Sequence, residues 1–231
     1  MTKLAALVFD RMTNLDFVGP HEVFARLPDI EIIICSPDGK PVRTDFGMCV
    51  DADTPLSAVG DVDILFVAGG PGVGELLKQA DLLEEMERIG SGAGWVTSVC
   101  TGALALGAAG LLEGYRATTH WAALDILPEF GAVPTRERVV VDRNRITGGG
   151  VTAGIDFGLR LAAALHGDEL AKAIQLGLEY SPDLPFDAGT PESAPPALVE
   201  RFRGRIAKLT AERLALSRQA WAARKLRTSS G

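Results

Sequence analysis

Cys100 is wedged between a strand-forming run, Trp95 to Val99, and a helix of small residues, Ala103 to Ala109, with almost no loop on either side. The chain must turn abruptly there, and Gly102 and Ala103 leave room for the turn. A nucleophile at a strand-to-helix turn of this kind is held over the end of a sheet. The adjoining helix N-terminus is expected to favour the thiolate, the reactive form of cysteine. Cys35 and Cys49 have no such setting and read as structural thiols.

A second feature is Gly69-Gly70-Pro71-Gly72, at the end of another apolar run. Glycines there let backbone N–H groups approach a ligand, and with the N–H of Thr101 they would form an anion hole. The spacing does not fit a dinucleotide fingerprint. A lone thiol also needs a proton partner. Asp16, expected between the first strand and the first helix, lies at the same end of the sheet, although an Asp there reads equally well as a helix cap. Glu22 is a neighbouring candidate expected to face solvent. His120 is the histidine nearest this end; His21 and His166 read as incidental, and position 101 is Thr, so no imidazole directly follows the thiol.

The elements that must hold these groups follow from the pattern of apolar runs. Strands are expected at Leu4 to Phe9, Ile30 to Cys35, Asp63 to Ala68 and Trp95 to Val99, with extended or hairpin segments at Val42 to Val50 and Arg138 to Thr147. Helices are expected at Pro20 to Leu27 with Pro20 at the first position, at Glu75 to Ile89, near Trp121 to Phe130, and at Val151 to Leu165. Gly148-Gly-Gly150 enters the last of these as a joint able to absorb backbone rotation. Pro182 to Pro196 reads as a loop, and Pro196 to Leu226 as a long basic amphipathic helix. Strands alternating with helices imply an α/β fold with a mostly parallel central sheet covered on both faces.

Bulk properties narrow the classes. Hydrophobic residues make up 47% of 231, ample for one large core. The net charge of −7 argues against broad nucleic-acid binding. That charge is unevenly placed, because residues 196–231 carry nine Lys and Arg against two Glu. No stretch has the roughly 18 apolar residues of a membrane span. Three cysteines without metal-type spacing fit free thiols in a reducing compartment, so a cytoplasmic location is expected.

Val99-Cys-Thr-Gly-Ala103, Gly107-Ala-Ala-Gly-Leu-Leu112 and Arg116-Ala-Thr-Thr-His-Trp121 resemble the ThiJ/PfpI superfamily, particularly its branch related to AraC-regulator sensor domains. Leu15-Asp-Phe-Val-Gly-Pro-His-Glu22, Gly69-Gly-Pro-Gly-Val-Gly74, Gly148-Gly-Gly-Val-Thr-Ala-Gly-Ile-Asp156 and Gln175-Leu-Gly-Leu-Glu-Tyr180 are similar to the isocyanide hydratases within it. The resemblance implies a flavodoxin-like three-layer sandwich, a homodimer, a small-molecule isocyanide substrate and no cofactor or metal. Carried over by motif, Cys100 is the nucleophile, Asp16 the carboxyl group beside it, and Thr101 part of the site. Gly70, Gly72 and Val151 frame the substrate and its anion hole. Many superfamily members use a Glu near the thiol, and several have His directly after it. Asp16 and Thr101 depart from both patterns, which weighs against protease and glutamine-amidotransferase chemistry. A catalytic domain over residues 1–195 and a C-terminal helix over 196–231, packed on that domain or on the dimer partner, are expected. The rival functions are a glyoxalase or deglycase using the same thiol, and a redox or ligand sensor.

Overall fold

The computed structural model describes residues 1–229. Seven strands form one sheet in the order β10-β11-β7-β6-β1-β2-β5. These are β1 (Thr2–Leu7), β2 (Ile30–Ser36), β5 (Thr54–Pro55), β6 (Ile64–Val67), β7 (Trp95–Val99), β10 (Val139–Asp142) and β11 (Arg145–Gly148). All neighbouring pairs are parallel except β10 and β11, which form the hairpin read from the sequence. The inner strands β6 and β7 are wholly or almost wholly buried, as is β1 from Leu4 onward, as strands covered on both faces must be. Two small ribbons lie outside this sheet: β3 (Val42–Arg43) with β4 (Cys49–Val50), and β8 (Arg116–Ala117) with β9 (Val133–Pro134).

The five consecutive parallel strands β2-β1-β6-β7-β11 have the flavodoxin-like order. In such sheets ligand sites form outside the carboxyl ends of the strands, near the point where the strand order reverses. The Gly69-Gly70 segment follows β6 and Cys100 follows β7, while Asp16 comes from the connection after β1. Topology alone therefore brings all three to one end.

Helices cover both faces: α1 (Asn14–Phe24), α2 (Val73–Leu77), α3 (Ala80–Gly92), α4 (Gly102–Ala108), α5 (Ala153–His166), α6 (Asp168–Gly177) and α7 (Pro196–Thr228). Between α1, α5 and the sheet, Phe24 meets Phe66 and Phe157 edge-on, while Phe66 and Phe157 stack at 5.6 Å. This aromatic cluster is fully buried and anchors the layer beneath the site.

Several boundaries differ from expectation. The first helix starts at Asn14, so Pro20 sits inside α1 and not at its first position. Proline interrupts the helical hydrogen-bond ladder there, but burial of Asp16, Phe17 and Gly19 holds the preceding turn in place. The helix expected over Glu75 to Ile89 is two helices, α2 and α3, broken at Lys78 and Gln79. The Val151 helix begins at Ala153, leaving Val151 in a turn. Residues Trp121–Phe130 form a 3₁₀ helix, closed by Gly131 at φ 72°. The helix α6 has no counterpart in the expected set. Finally, α7 has a narrow buried face, Arg213, Ser217, Ala220 and Trp221, set against α2, α4 and the 3₁₀ helix. Its basic residues are used within the chain: Arg218 pairs with Glu129, Arg224 with Glu87 and Arg227 with Glu84.

Candidate active site

The turn after β7 is made by Cys100 itself, which adopts φ 54°. A left-handed backbone at a non-glycine residue is strained and persists only where its surroundings enforce it. Here the enforcement is visible. The Cys100 N–H donates to both Gly148 O at 3.0 Å and Gly149 O at 2.9 Å. Thr119 Oγ1 donates to the Cys100 carbonyl at 2.7 Å. The Gly148–Gly150 segment thus clamps the backbone of Cys100.

Thr101 ties this turn to the loop after β6. Its Oγ1 accepts from the Gly70 N–H at 2.9 Å and donates to the Gly70 carbonyl at 3.1 Å. Gly69 passes so close that a Cβ there would lie 2.7 Å from the Cys100 Cβ, and Gly70 has φ 138°. These approaches explain the glycines without any ligand. The expected anion hole needs correcting accordingly. The Gly70 N–H is committed to Thr101, and the Gly72 N–H donates to Arg11 O at 3.0 Å, so neither is free for an anion. The amides that act on the sulfur are those of Thr101 and Val151, both of which favour the thiolate.

Asp16 lies in the first turn of α1 and is fully buried, neither between elements nor a cap. Neither carboxyl oxygen makes a well-formed hydrogen bond. Burial without compensation penalises the charged form, and it raises the Asp16 pKa from 3.8 to about 7. The Cys100 thiol and the Gly69 N–H pull it back down, while Asp45 pushes it further up. Burial also dominates at Cys100 and drives its pKa upward, with the Asp16 charge adding to the rise. The short helix α4 therefore does not produce a thiolate by itself, contrary to expectation. Two acids face each other in a dry site, and each resists ionising while the other is charged. Such a pair titrates as a unit and holds one shared proton over a wide pH range.

The other thiols do not share this setting. Cys35 is buried in β2, where burial raises its pKa to about 12, and Cys49 is exposed on β4. Glu22 is exposed and paired with Arg26 at 2.7 Å. His120 caps the 3₁₀ helix, its Nδ1 accepting from the Ala122 N–H at 3.2 Å, and its ring stacks on Trp121 and Phe202. Burial and the positive charge of Arg213 lower its pKa, so it is neutral at pH 7. A cavity of about 330 Å³ opens along Gly149–Val151, with Thr119, His120, Trp121, Leu124, Val151 and Pro191 in its walls; Cys100 and Asp16 lie behind these residues and do not line it.

One site residue escaped the sequence reading. Arg213, from α7, is buried and donates to the Gly70 carbonyl at 3.0 Å. The only signal for it was a polar member in the helical series Arg213, Ser217, Ala220 and Trp221.

The chain is similar over most of its length to proteins already known. An isonitrile hydratase of Pseudomonas putida is 46% identical over 205 residues, covering 89% of this chain and 90% of the relative. The crystal structure of a ThiJ/PfpI family protein from Pseudomonas syringae superposes with a TM-score of 0.91 at 43% identity, covering 94% of this chain and 90% of the other. The HTH-type transcriptional regulator CdhR of Pseudomonas aeruginosa is 38% identical over 144 residues, which are 60% of this chain and 41% of the regulator. The DJ-1/PfpI family pattern matches residues 2–164. The chain, with its mostly parallel sheet, belongs to the DJ-1/PfpI family.

Proposed function

We propose that this protein is an isocyanide (isonitrile) hydratase, converting an isocyanide and water to an N-substituted formamide through a covalent bond to Cys100. The observation that carries this reading is the buried Cys100–Asp16 pair, in which a carboxyl group beside the thiol keeps its proton to about pH 7. An isocyanide carbon is attacked by a nucleophile and then needs a proton on the same carbon. A thiol and an acid holding one proton between them supply both.

In the first step the pair's remaining proton passes from the Cys100 sulfur to Asp16, and the sulfur adds to the terminal carbon. A C–S bond forms, and the carbon's electron pair takes the Asp16 proton to give a thioimidate. The amides of Thr101 and Val151 hold the sulfur as it gains and later regains charge. Asp16, now a carboxylate, takes a proton from water as its oxygen adds to the thioimidate carbon, passes it to the nitrogen, and takes the hydroxyl proton as the adduct collapses. Collapse breaks the C–S bond, releases the formamide and returns the sulfur with one proton on the pair. Atoms and charge balance with water as the sole co-reactant. The cavity beside Val151 and His120 would take the nitrogen substituent.

Purified protein given cyclohexyl isocyanide is expected to release one formamide per isocyanide consumed, and to turn over methylglyoxal far more slowly. No formamide above the uncatalysed rate would overturn the assignment; faster methylglyoxal turnover would favour the glyoxalase reading. The regulator relatives make a sensor the other rival, and measurable hydration discriminates against it.

A cytoplasmic location belongs to the same proposal, and the three free thiols support it. Among the described residues, no helix is long and apolar enough to cross a membrane. The division into a catalytic body over 1–195 and a C-terminal segment over 196–231, whose last two residues lie outside the described ones, is part of the same reading, as is a homodimer without nucleic acid. An apolar groove of Leu15, Val18 and Ile155, with Leu178 at its edge, and the exposed Leu176, Leu184 and Phe186 support self-association. Light scattering is expected to give about twice the 24.4 kDa chain mass, and a monomer at micromolar concentration would rule the dimer out.

A further inference from the structure

Three arginines of α7 meet a carboxylate: Arg218 meets Glu129, Arg224 meets Glu87 and Arg227 meets Glu84. Arg213 does not. It is 9% exposed, its hydrogen-bond partner among the described residues is the Gly70 carbonyl, and its Nε has none. A buried cation held by a neutral carbonyl is costly unless negative charge lies nearby.

Negative charge within reach comes from the Cys100 sulfur and from the exposed neighbouring Glu212, of which only the sulfur is buried with the guanidinium. The same Gly70 carbonyl accepts from Thr101 Oγ1, so one peptide group links Arg213 to the residue that follows Cys100. Charge on Cys100 and on Glu212 favours the charged form of Arg213, while burial opposes it. In turn Arg213 disfavours a proton on His120. The titratable and charged groups facing the site are therefore Asp16 from α1, Asp45 from the β3–β4 hairpin, Cys100 before α4, His120 at the 3₁₀ helix and Arg213 from α7, with the exposed Glu212 acting on Arg213 from its outer side. Asp45 adds to the cost of ionising the pair, His120 is neutral, and Arg213 is the buried cation.

We propose that Arg213 is a positioning residue and the counter-cation of the Cys100–Asp16 pair, holding that pair singly deprotonated at neutral pH and fixing the Gly70–Thr101 link beneath the thiol. Without a cation, two facing acids in a dry site would tend to keep both protons, and neither sulfur attack nor proton return would start from the right state. With it, one proton is lost and the other is shared, as the addition requires. The proposal rests on Cys100 as nucleophile, but its test reads the thiol directly and needs no isocyanide.

The test uses full-length protein carrying Cys49→Ser, which removes the exposed thiol. The rate of Cys100 alkylation by iodoacetamide is followed across pH by mass spectrometry, beside a thermal melt. Removing a cation disfavours the anion, so Arg213→Gln, which keeps an N–H donor but no charge, is expected to move the alkylation midpoint up by about one pH unit or more. Alkylation near pH 7 then slows about tenfold or more. Arg213→Lys, which keeps the charge, is expected to hold the midpoint near that of the parent. Arg213→Met serves as a second uncharged variant should Arg213→Gln fold poorly, with the same expected shift. A role in packing alone would lower melting temperatures and leave the midpoint in place. An unmoved midpoint in the uncharged variants, or a Lys variant displaced as far as they are, overturns the proposal.

Discussion

Replacing Cys100 with Ala is expected to reduce isocyanide hydration by about a thousandfold or more, to the level of the uncatalysed reaction. The loss follows from the single covalent bond on which both steps depend. Cys100→Ser should fail almost equally, because a buried hydroxyl has a still higher pKa than the thiol and no imidazole follows it at Thr101. Neither change should unfold the protein. Ala and Ser meet the same left-handed backbone as Cys100, and the clamping bonds from Gly148, Gly149 and Thr119 involve only the main chain of residue 100. Cys49→Ser should retain full activity, and Cys35→Ser most of it, with some loss of stability because Cys35 is buried with its thiol directed at the Ala6 carbonyl at 3.5 Å. Steady-state formamide release, with melting curves for each variant, checks all four. Substantial turnover in Cys100→Ala would remove the covalent mechanism.

Asp16→Asn is expected to act in opposite directions on activity and stability. An amide cannot deliver a carboxyl proton to the isocyanide carbon, so turnover should fall by about a hundredfold to ten-thousandfold. Stability should rise at alkaline pH. The folded-state pKa of about 7 lies above the ordinary 3.8, so between these values the folded protein keeps a proton that the unfolded chain has lost. Stability is then complete below the lower value and declines as pH rises towards and through the upper one. Each pKa unit corresponds to about 1.4 kcal/mol, so the penalty carried above pH 7 is at most about 4 kcal/mol. Asn avoids it, and its profile of stability against pH should be flatter. Denaturant unfolding at pH 5 and pH 8 separates the two proteins: the variant's advantage should be present at the higher pH and smaller at the lower. A double variant, Cys100→Ala with Asp16→Asn, should be no less active than Cys100→Ala alone, because the two side chains act as one unit.

How much of this was legible depended on whether a signal was local. The strand before Cys100 and the small residues after it are contiguous, so the sharp turn could be read directly, and the apolar runs of β1, β6 and β7 announced a parallel sheet. Asp16 was found by its position at the sheet end, yet its setting was misjudged, because Pro20 drew the helix start six residues too late. The reactive form of the thiol was also misjudged. A helix N-terminus is visible in a sequence, whereas the burial that outweighs it at Cys100 belongs to the packed state. The glycine loop was recognised, but its amides proved to be spent on Thr101 and Arg11. Arg213 was hardest of all: it meets Gly70 across 143 residues of chain, and one arginine among nine basic residues after Pro196 carries no mark of its destination.

That distance has a consequence for the chain as it is made. Ribosomes extend proteins at about 5–20 residues per second, so Cys100 is synthesised several seconds or more before Arg213. The sheet and its turn can assemble during that interval, but the cation arrives only when the last helix docks. A nascent or C-terminally clipped chain would therefore present its cysteine with both protons still on the pair, dull towards electrophiles, and full reactivity would appear only in molecules translated to the end.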